Sequence, residues 1–262
     1  ELDAAIDELK TLSALRFQGF HVYAGTQCLV ADVIAEAYAG FVAIWSAAAA
    51  KHELTCARLV FGSGFGVPYD DGQKELDVAA VAAKVVPLLD SMRRDRWLGG
   101  AETLLELGRF LVGGAGVYLA RVIRTKRSRG KRFCILDGGL NHHLAAAGLF
   151  GAVVRRNYPM HKVGARADEP RAPHQLVGPL CTTIDTLGAD VQLPEMSAGD
   201  LVAIESSGAY GLTASPLDFI AHPRPREVIV DRGAIIDVTA EGTPRRAPAH
   251  LDDRAKRRGA GP

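Results

Sequence analysis

From Leu2 to Glu106 the chain alternates helix-like and strand-like segments, and this alternation constrains the fold more than any other feature. Leu2, Ile6, Leu9 and Leu12 recur at helical spacing, and RFQGFHV, Arg16 to Val22, then reads as a short strand. From Cys28 to about His52 the chain is Ala-rich, with Val, Ile, Leu and Trp at helical intervals, and Arg58 to Phe61 is a brief apolar run that ends in glycines. Asp77 to Trp97 repeats the helical pattern and Thr103 to Glu106 the strand pattern. A βαβαβ unit of this kind implies a parallel sheet with right-handed crossovers, in an open doubly wound sheet or in part of a (β/α) barrel.

The unusual residues fall where those strands end. His21 closes the first in HVYAGTQ, Gly62 to Gly66 close the second in FGSGFGVPY, and Glu106 and Arg109 close the third in ELGR. Ligands of parallel α/β sheets lie at the carboxyl ends of the strands, because the loops there converge on one crevice. Each motif also has a plainer reading. A strand-end histidine is often a satisfied structural one, GSGFG serves equally as a tight turn, and Glu106 with Arg109 could form a surface ion pair. As functional groups, glycines admit backbone N–H groups close to an anion, and an arginine beside them is a natural phosphate ligand. A carboxylate in that place would partner a ring nitrogen.

After Gly116 the texture changes to short alternating runs, GVYLARVIRT, RFCILDGG, HQLVGPLC, DLVAIESSG and REVIVD, separated by Pro, Gly and Asp. That pattern predicts a β-barrel or sandwich, with the boundary in the glycine-rich stretch Val112 to Gly116. The expected division is residues 1–112 for the α/β part, 113–238 for the β part, with AIIDV as an edge strand, and a disordered tail at 239–262. Cys181 in VGPLCTTID lies just beyond a strand, and Tyr210 sits in a glycine-flanked turn. A packed thiol or a core-capping tyrosine would look the same. His142 and His143 are expected to be structural or to line a cleft, since adjacent side chains diverge and no acidic third metal ligand stands nearby.

Composition excludes several classes. The 31 basic and 30 acidic residues leave a net charge of +1, so nothing global draws the chain to nucleic acid, and the basic run Arg124 to Arg132 reads as a solvated hairpin. Four cysteines without CxxC or CxxH spacing argue against a zinc knuckle or a disulfide framework and fit a reducing cytoplasm. Apolar runs such as Gly40 to Ala50 are read as too short for a membrane span.

The ordered set HVYAGTQ, GSGFGVPY, ELGRFLVG, DGGLNHH, GPLCTTID, SGAYG resembles the ornithine, diaminopimelate and arginine decarboxylases of the alanine-racemase-like fold, from about Leu2 to Asp231. Wording around GFHVYAGTQ and DGGLNHHLAAAG is similar to a bacterial subgroup tied to exopolysaccharide and carrier-protein-dependent clusters. The resemblance implies part of a TIM-type (β/α)8 barrel followed by a C-terminal β domain, with pyridoxal 5'-phosphate as cofactor. It implies that His21 stacks on the pyridine ring and Glu106 holds the ring nitrogen protonated. Thr26, the loop Gly62, Ser63 and Gly64, Arg109 and Tyr210 would hold the phosphate. Cys181 would reach the partner subunit's active site and return a proton to the substrate carbon, which implies a head-to-tail homodimer.

Two features depart from the family pattern. The family's cofactor-bonding lysine is expected upstream of HVYAGTQ, no lysine of this chain sits in that context, and the chain therefore reads as the C-terminal part of a longer or truncated product. Thr182 stands where relatives acting on free diamino acids carry an acid for the distal ammonium, and Asp185 either replaces that acid or makes a structural hydrogen bond. The expected function is amino-acid decarboxylation on a free or carrier-tethered substrate. A non-catalytic subunit paired with an intact decarboxylase is the alternative, and a racemase is disfavoured because GPLCTTID follows the decarboxylase pattern.

Overall fold

Helical periodicity feeding short apolar runs produces three parallel strands in the order β1-β2-β3, formed by Gly19–Tyr23, Arg58–Gly62 and Glu102–Leu105. The computed structural model describes residues 1–62, 64–70, 72–149 and 156–239. Helix α1, Leu2–Thr11, precedes β1, α2, Ala31–His52, links β1 to β2, and α3, Val78–Met92, links β2 to β3. A short helix α4, Gly108–Val112, follows β3. Asp77 starts α3 by accepting the Ala80 N–H on its side chain at 2.9 Å, which satisfies one of the helix's unpaired donors.

Strand alternation turns Phe20, Val22, Leu59 and Phe61 toward α2 and α3, where Tyr38, Phe41, Trp45, Val81 and Val85 close the core. Trp45 is wholly buried, edge-on to Phe61 at 4.7 Å between ring centroids. α2 runs 22 residues, longer than the Gly40 to Ala50 run within it, and by length and composition alone it is long and apolar enough to cross a membrane. Its Tyr38, Phe41, Trp45 and Ala49 are buried in this core, as in the core helix of a globular unit.

The chain divides into two compact units after Val117, and Glu205–Ala209 returns to the first. The glycines of VGGAG and SSGAYG allow that return: a Cβ on Gly208 would stand 1.7 Å from the Val112 carbonyl oxygen, and one on Gly116 would stand 2.4 Å from Gly208. Gly208 and Ser207 donate backbone N–H groups to Gly113 and Gly116 at 2.9 and 2.8 Å.

The second unit is built on six strands in the order β6-β9-β4-β5-β7-β8. These are β4, Tyr118–Ser128, β5, Lys131–Leu136, β6, Met160–Lys162, β7, Ala172–Val177, β8, Thr186–Leu193, and β9, Leu201–Ile204. All neighbours are antiparallel except β5 and β7, which run parallel. The terminal strands β6 and β8 touch, so the sheet is nearly closed. Asn157 joins them further, its amide giving and taking hydrogen bonds with the Ala189 backbone at 2.7 and 3.0 Å. The basic run Arg124 to Arg132 is the β4–β5 hairpin and its turn. AIIDV, expected as an edge strand, instead contributes β11, Ala234–Asp237, which pairs with β10, Val228–Asp231, as a separate hairpin. Its own turn at Arg232 and Gly233 returns the chain directly onto β10, so the two strands satisfy each other. The expected disordered tail lies outside the described residues from residue 240 onward.

His142 and His143 are both buried in this unit. The Tyr118 hydroxyl lies 3.0 Å from His142 Nδ1, and His142 Nε2 lies 2.8 Å from the Pro223 carbonyl, which can only accept. The proton of His142 therefore sits on Nε2, and Tyr118 is the donor to Nδ1. His143 Nδ1 accepts from the Ala146 N–H at 3.2 Å, and burial pushes its pKa from 6.5 down to about 4. The fold thus favours neutral His143, while the unfolded chain takes up a proton as pH falls below 6.5. Stability should be full above that pH and decline until about pH 4, by about 3 kcal/mol in all. Urea midpoints measured between pH 7 and pH 4 should show this slope, and His143→Asn should flatten it. An unchanged slope in the variant would assign the acid sensitivity elsewhere.

Candidate active site

The sheet face opposite the helices carries the polar strand ends of the first unit. Tyr23 pairs in register with Gly62, and Glu106 continues the ladder by donating its N–H to the Phe61 carbonyl at 3.1 Å. His21 and Glu106 therefore emerge on one side, and His21 Nε2 meets Glu106 Oε2 at 3.0 Å, both side chains about half exposed. Arg109, in the first turn of α4, donates to the Tyr69 hydroxyl at 2.8 Å and lies 5.5 Å from that ring's centroid. Tyr69 is buried, so it fixes the guanidinium from behind. Tyr69 ends the motif GVPY, but only the fold reveals it as the support for Arg109.

The loops after β1 and β2 interlock. Cys28 donates to the Gly64 carbonyl at 2.8 Å and its own carbonyl accepts from Gly66 at 2.9 Å. Gln27, at φ +62°, accepts the Val67 N–H on its side-chain oxygen at 3.2 Å and donates its amide to the Val67 carbonyl. Gly64 has φ +67°, and a Cβ there would stand 2.6 Å from the Gly25 carbonyl oxygen. The glycine is thus required by the mating of two loops as well as by any anion they receive. Ser63 lies outside the described residues. A cleft of about 290 Å³ opens between these loops and the first half of α2, lined by Gly25, Thr26, Gly62, Gly64 and Tyr38 among others. The Tyr38 hydroxyl is buried without a hydrogen-bond partner among the described residues, and burial pushes its pKa up to about 12.

A pyridoxal phosphate needs an aromatic face, an anionic acceptor for its ring nitrogen, and cationic and hydroxyl donors for its phosphate. Within the first unit His21 offers an aromatic face, Glu106 a carboxylate, Arg109 a cation and Thr26 a hydroxyl, so the chemistry of these residues fits the group.

The family description "Pyridoxal-dependent decarboxylase, C-terminal sheet domain" matches residues 20–208. This chain belongs to the pyridoxal-dependent decarboxylases. The L-glutamyl-[BtrI acyl-carrier protein] decarboxylase of Niallia circulans is 38% identical over 245 residues, 92% of this chain and 57% of that one. The diaminopimelate decarboxylase of Methanothermobacter thermautotrophicus is 34% identical over 183 residues, 69% of this chain and 40% of its own length. A crystal structure from Aquifex aeolicus superposes with a TM-score of 0.75 at 27% identity, covering 91% of this chain and 56% of the other. The chain thus spans about half the length of the relatives it matches. Decarboxylases of this family use pyridoxal 5'-phosphate.

The remaining expected site residues belong to the second unit. Cys181 is a free thiol, exposed in the loop between β7 and β8, and Thr182 beside it is half-buried. Tyr210 is exposed at φ +55°, a conformation a bulky side chain seldom adopts and one that tends to mark functional turns. Asp185 is 3% exposed, and both its carboxylate oxygens accept backbone N–H groups, from Leu140 at 2.7 Å and Leu180 at 2.9 Å. Of the two roles expected for it, this geometry is that of the structural hydrogen bond. Among the described residues no group of three or more His, Cys, Asp or Glu is placed to hold a metal ion.

Proposed function

We propose that this chain carries the cofactor-holding and proton-donating residues of an amino-acid decarboxylase whose substrate has a neutral, acidic or carrier-tethered distal end. The observation that carries this reading is the meeting of His21 and Glu106 at 3.0 Å on the sheet face turned away from the helices. When bound, pyridoxal phosphate supplies the electron sink that lets the bond to the substrate carboxylate break. His21 would offer its ring face to the pyridine, and Glu106 would accept from the ring nitrogen and keep it protonated. Arg109, steadied by Tyr69, joins Thr26, Gly62, Ser63, Gly64 and Tyr210 in holding the phosphate. The Cys181 thiol returns a proton to the substrate carbon.

In this reading β1, β2 and β3 are part of a (β/α)8 barrel and the six-stranded sheet is the C-terminal β domain. Two chains pair head to tail so that each Cys181 serves its partner, in a cytoplasmic enzyme that the four free cysteines suit.

Thr182 supports the substrate class. A distal ammonium entering a partly buried pocket without an anionic partner loses several kcal/mol, a factor of about a thousand in affinity. Thr182 offers a hydroxyl, and the Asp185 carboxylate is committed to two backbone donors. CO2 release by the full-length gene product should therefore be poor with free ornithine, lysine or diaminopimelate and good with a glutamyl group on a carrier protein. Thr182→Asp should gain the diamino acids. Efficient turnover of a free diamino acid by the unaltered protein would overturn the pocket assignment, and no cofactor-dependent CO2 release from any of these would overturn the function.

A further inference from the structure

Cys181 lies on a loop whose shape is set by one buried carboxylate. The parallel strands β5 and β7 end side by side, Ile135 opposite Val177, so the loops that follow them are neighbours. One begins with Gly138 and Gly139 of the DGGLN motif and the other with Gly178 of GPLCTTID. Asp185 reaches into both. Its Oδ1 accepts from Leu140 and its Oδ2 from Leu180, while its backbone carbonyl accepts from Gly178 at 3.0 Å and its N–H donates to the Thr182 carbonyl at 3.2 Å. Both sequence neighbours of Cys181 are thus hydrogen-bonded to Asp185.

The two motif glycines make room for this carboxylate. A Cβ on Gly139 would stand 2.2 Å from Asp185 Oδ1, and one on Gly178 would stand 2.1 Å from Oδ2. The DGG and GP motifs, separated by nearly forty residues in sequence, are two walls of one slot.

We propose that Asp185 is the positioning residue for Cys181: it fixes the thiol-bearing loop against the DGG loop and does not touch substrate. The inference rests on the reading of Cys181 as proton donor, because proton transfer requires the thiol within hydrogen-bond reach of the substrate carbon's position and is degraded by small displacements. Two charge-assisted hydrogen bonds to backbone N–H groups hold a loop more firmly than neutral ones. Asp185→Asn keeps the size of the side chain but turns an amide N–H₂ toward one of the two donors, leaving that buried N–H unpaired.

The test uses the chain itself and requires neither cofactor nor turnover. Amide hydrogen exchange at Leu140 and Leu180 and the pH profile of iodoacetamide alkylation at each cysteine, located by peptide mass spectrometry, are compared for the unaltered chain, Asp185→Asn and Gly178→Ala. In both variants exchange at one or both amides should accelerate about tenfold or more. The high-pH plateau of the Cys181 alkylation rate should move from a value distinct from that of the peptide GPLCTTID to that of the peptide. Cys28 should keep its rate, and the buried Cys56 and Cys134 should stay protected. The proposal fails if the unaltered Cys181 already reacts like the peptide, or if its plateau is unmoved when the amides loosen. It fails equally if exchange does not change, or if Cys56 and Cys134 become reactive too, since the carboxylate would then support the whole unit and not the loop. Retained activity of Cys181→Ala in the full-length enzyme would remove the proton-donor reading while leaving these loop measurements intact, so the two failures are distinguishable.

Discussion

Under the proposed function, with Cys181 as the proton donor, Cys181→Ala in a full-length form is expected to lower kcat by about 10²–10⁴-fold with little change in KM or in cofactor binding. A positioned acid contributes only in the step where its proton moves, so removing it leaves the ground-state contacts of substrate and cofactor in place. The thiol is free and exposed on its loop, and the residues on either side of it, Leu180 and Thr182, are hydrogen-bonded to Asp185. A group with that placement is available to a reacting carbon in a way that the buried Cys56 and Cys134 are not, burial having pushed both of those thiols up to about 11. Stereochemistry provides the sharper measurement. In deuterated water the unaltered enzyme should deliver deuterium to one face of the product carbon, and the variant, protonated by solvent, should deliver it to both. A variant that keeps its rate and a single configuration would show that another group is the donor.

Trp45→Ala should destabilise the first unit by about 3–5 kcal/mol, a large fraction of the stability a domain of this kind possesses. Trp45 has no exposed surface and packs among Tyr38, Phe41 and Phe61, the rings of α2 and β2 on which the helical face of the sheet rests. Truncation to alanine leaves a void that a close-packed core fills only partly. Trp45→Phe should behave differently. It also removes volume, but the indole Nε1 of Trp45 has no hydrogen-bond partner among the described residues, and deleting an unpaired buried donor offsets part of the packing loss. Urea unfolding should therefore show the phenylalanine variant losing less than half of what the alanine variant loses. Equal losses would mean that ring volume alone decides this site.

Much of the first unit was legible in order and spacing. The periodicity of Leu2, Ile6 and Leu9, the Ala-rich run from Cys28 and the pattern from Asp77 each became a helix, and the apolar runs between them became parallel strands. Strand ends were less sharp. The run expected from Arg16 pairs only from Gly19, because the Gln18 carbonyl is taken by the Ala57 and Arg58 N–H groups at 2.8 Å, where the ladder to β2 begins. The return of Glu205–Ala209 to the first unit left no local signal, since its cause is the close approach of two glycine segments far apart in the chain.

The candidate site divides in the same way. Residue types at strand ends singled out His21, Glu106 and Arg109 as candidates, because parallel strands place their ends together whatever the details of packing, and Cys181 became a candidate only through the resemblance carried by the six ordered motifs. The partners that hold those groups were not legible, apart from Asp185, for which the sequence left a structural hydrogen bond as one of two roles. Tyr69 behind Arg109, Gln27 joining the two loops and Asp185 bridging Leu140 and Leu180 all act across separations that no periodicity encodes. The sequence by itself determined the class of fold, the family and the chemical groups on offer, since these follow from local pattern and residue identity. Only the tertiary structure decided that the glycines of two motifs enclose one carboxylate and that Asp185 is spent on backbone donors, because hydrogen bonding and close contact depend on distance in space and not on distance along the chain.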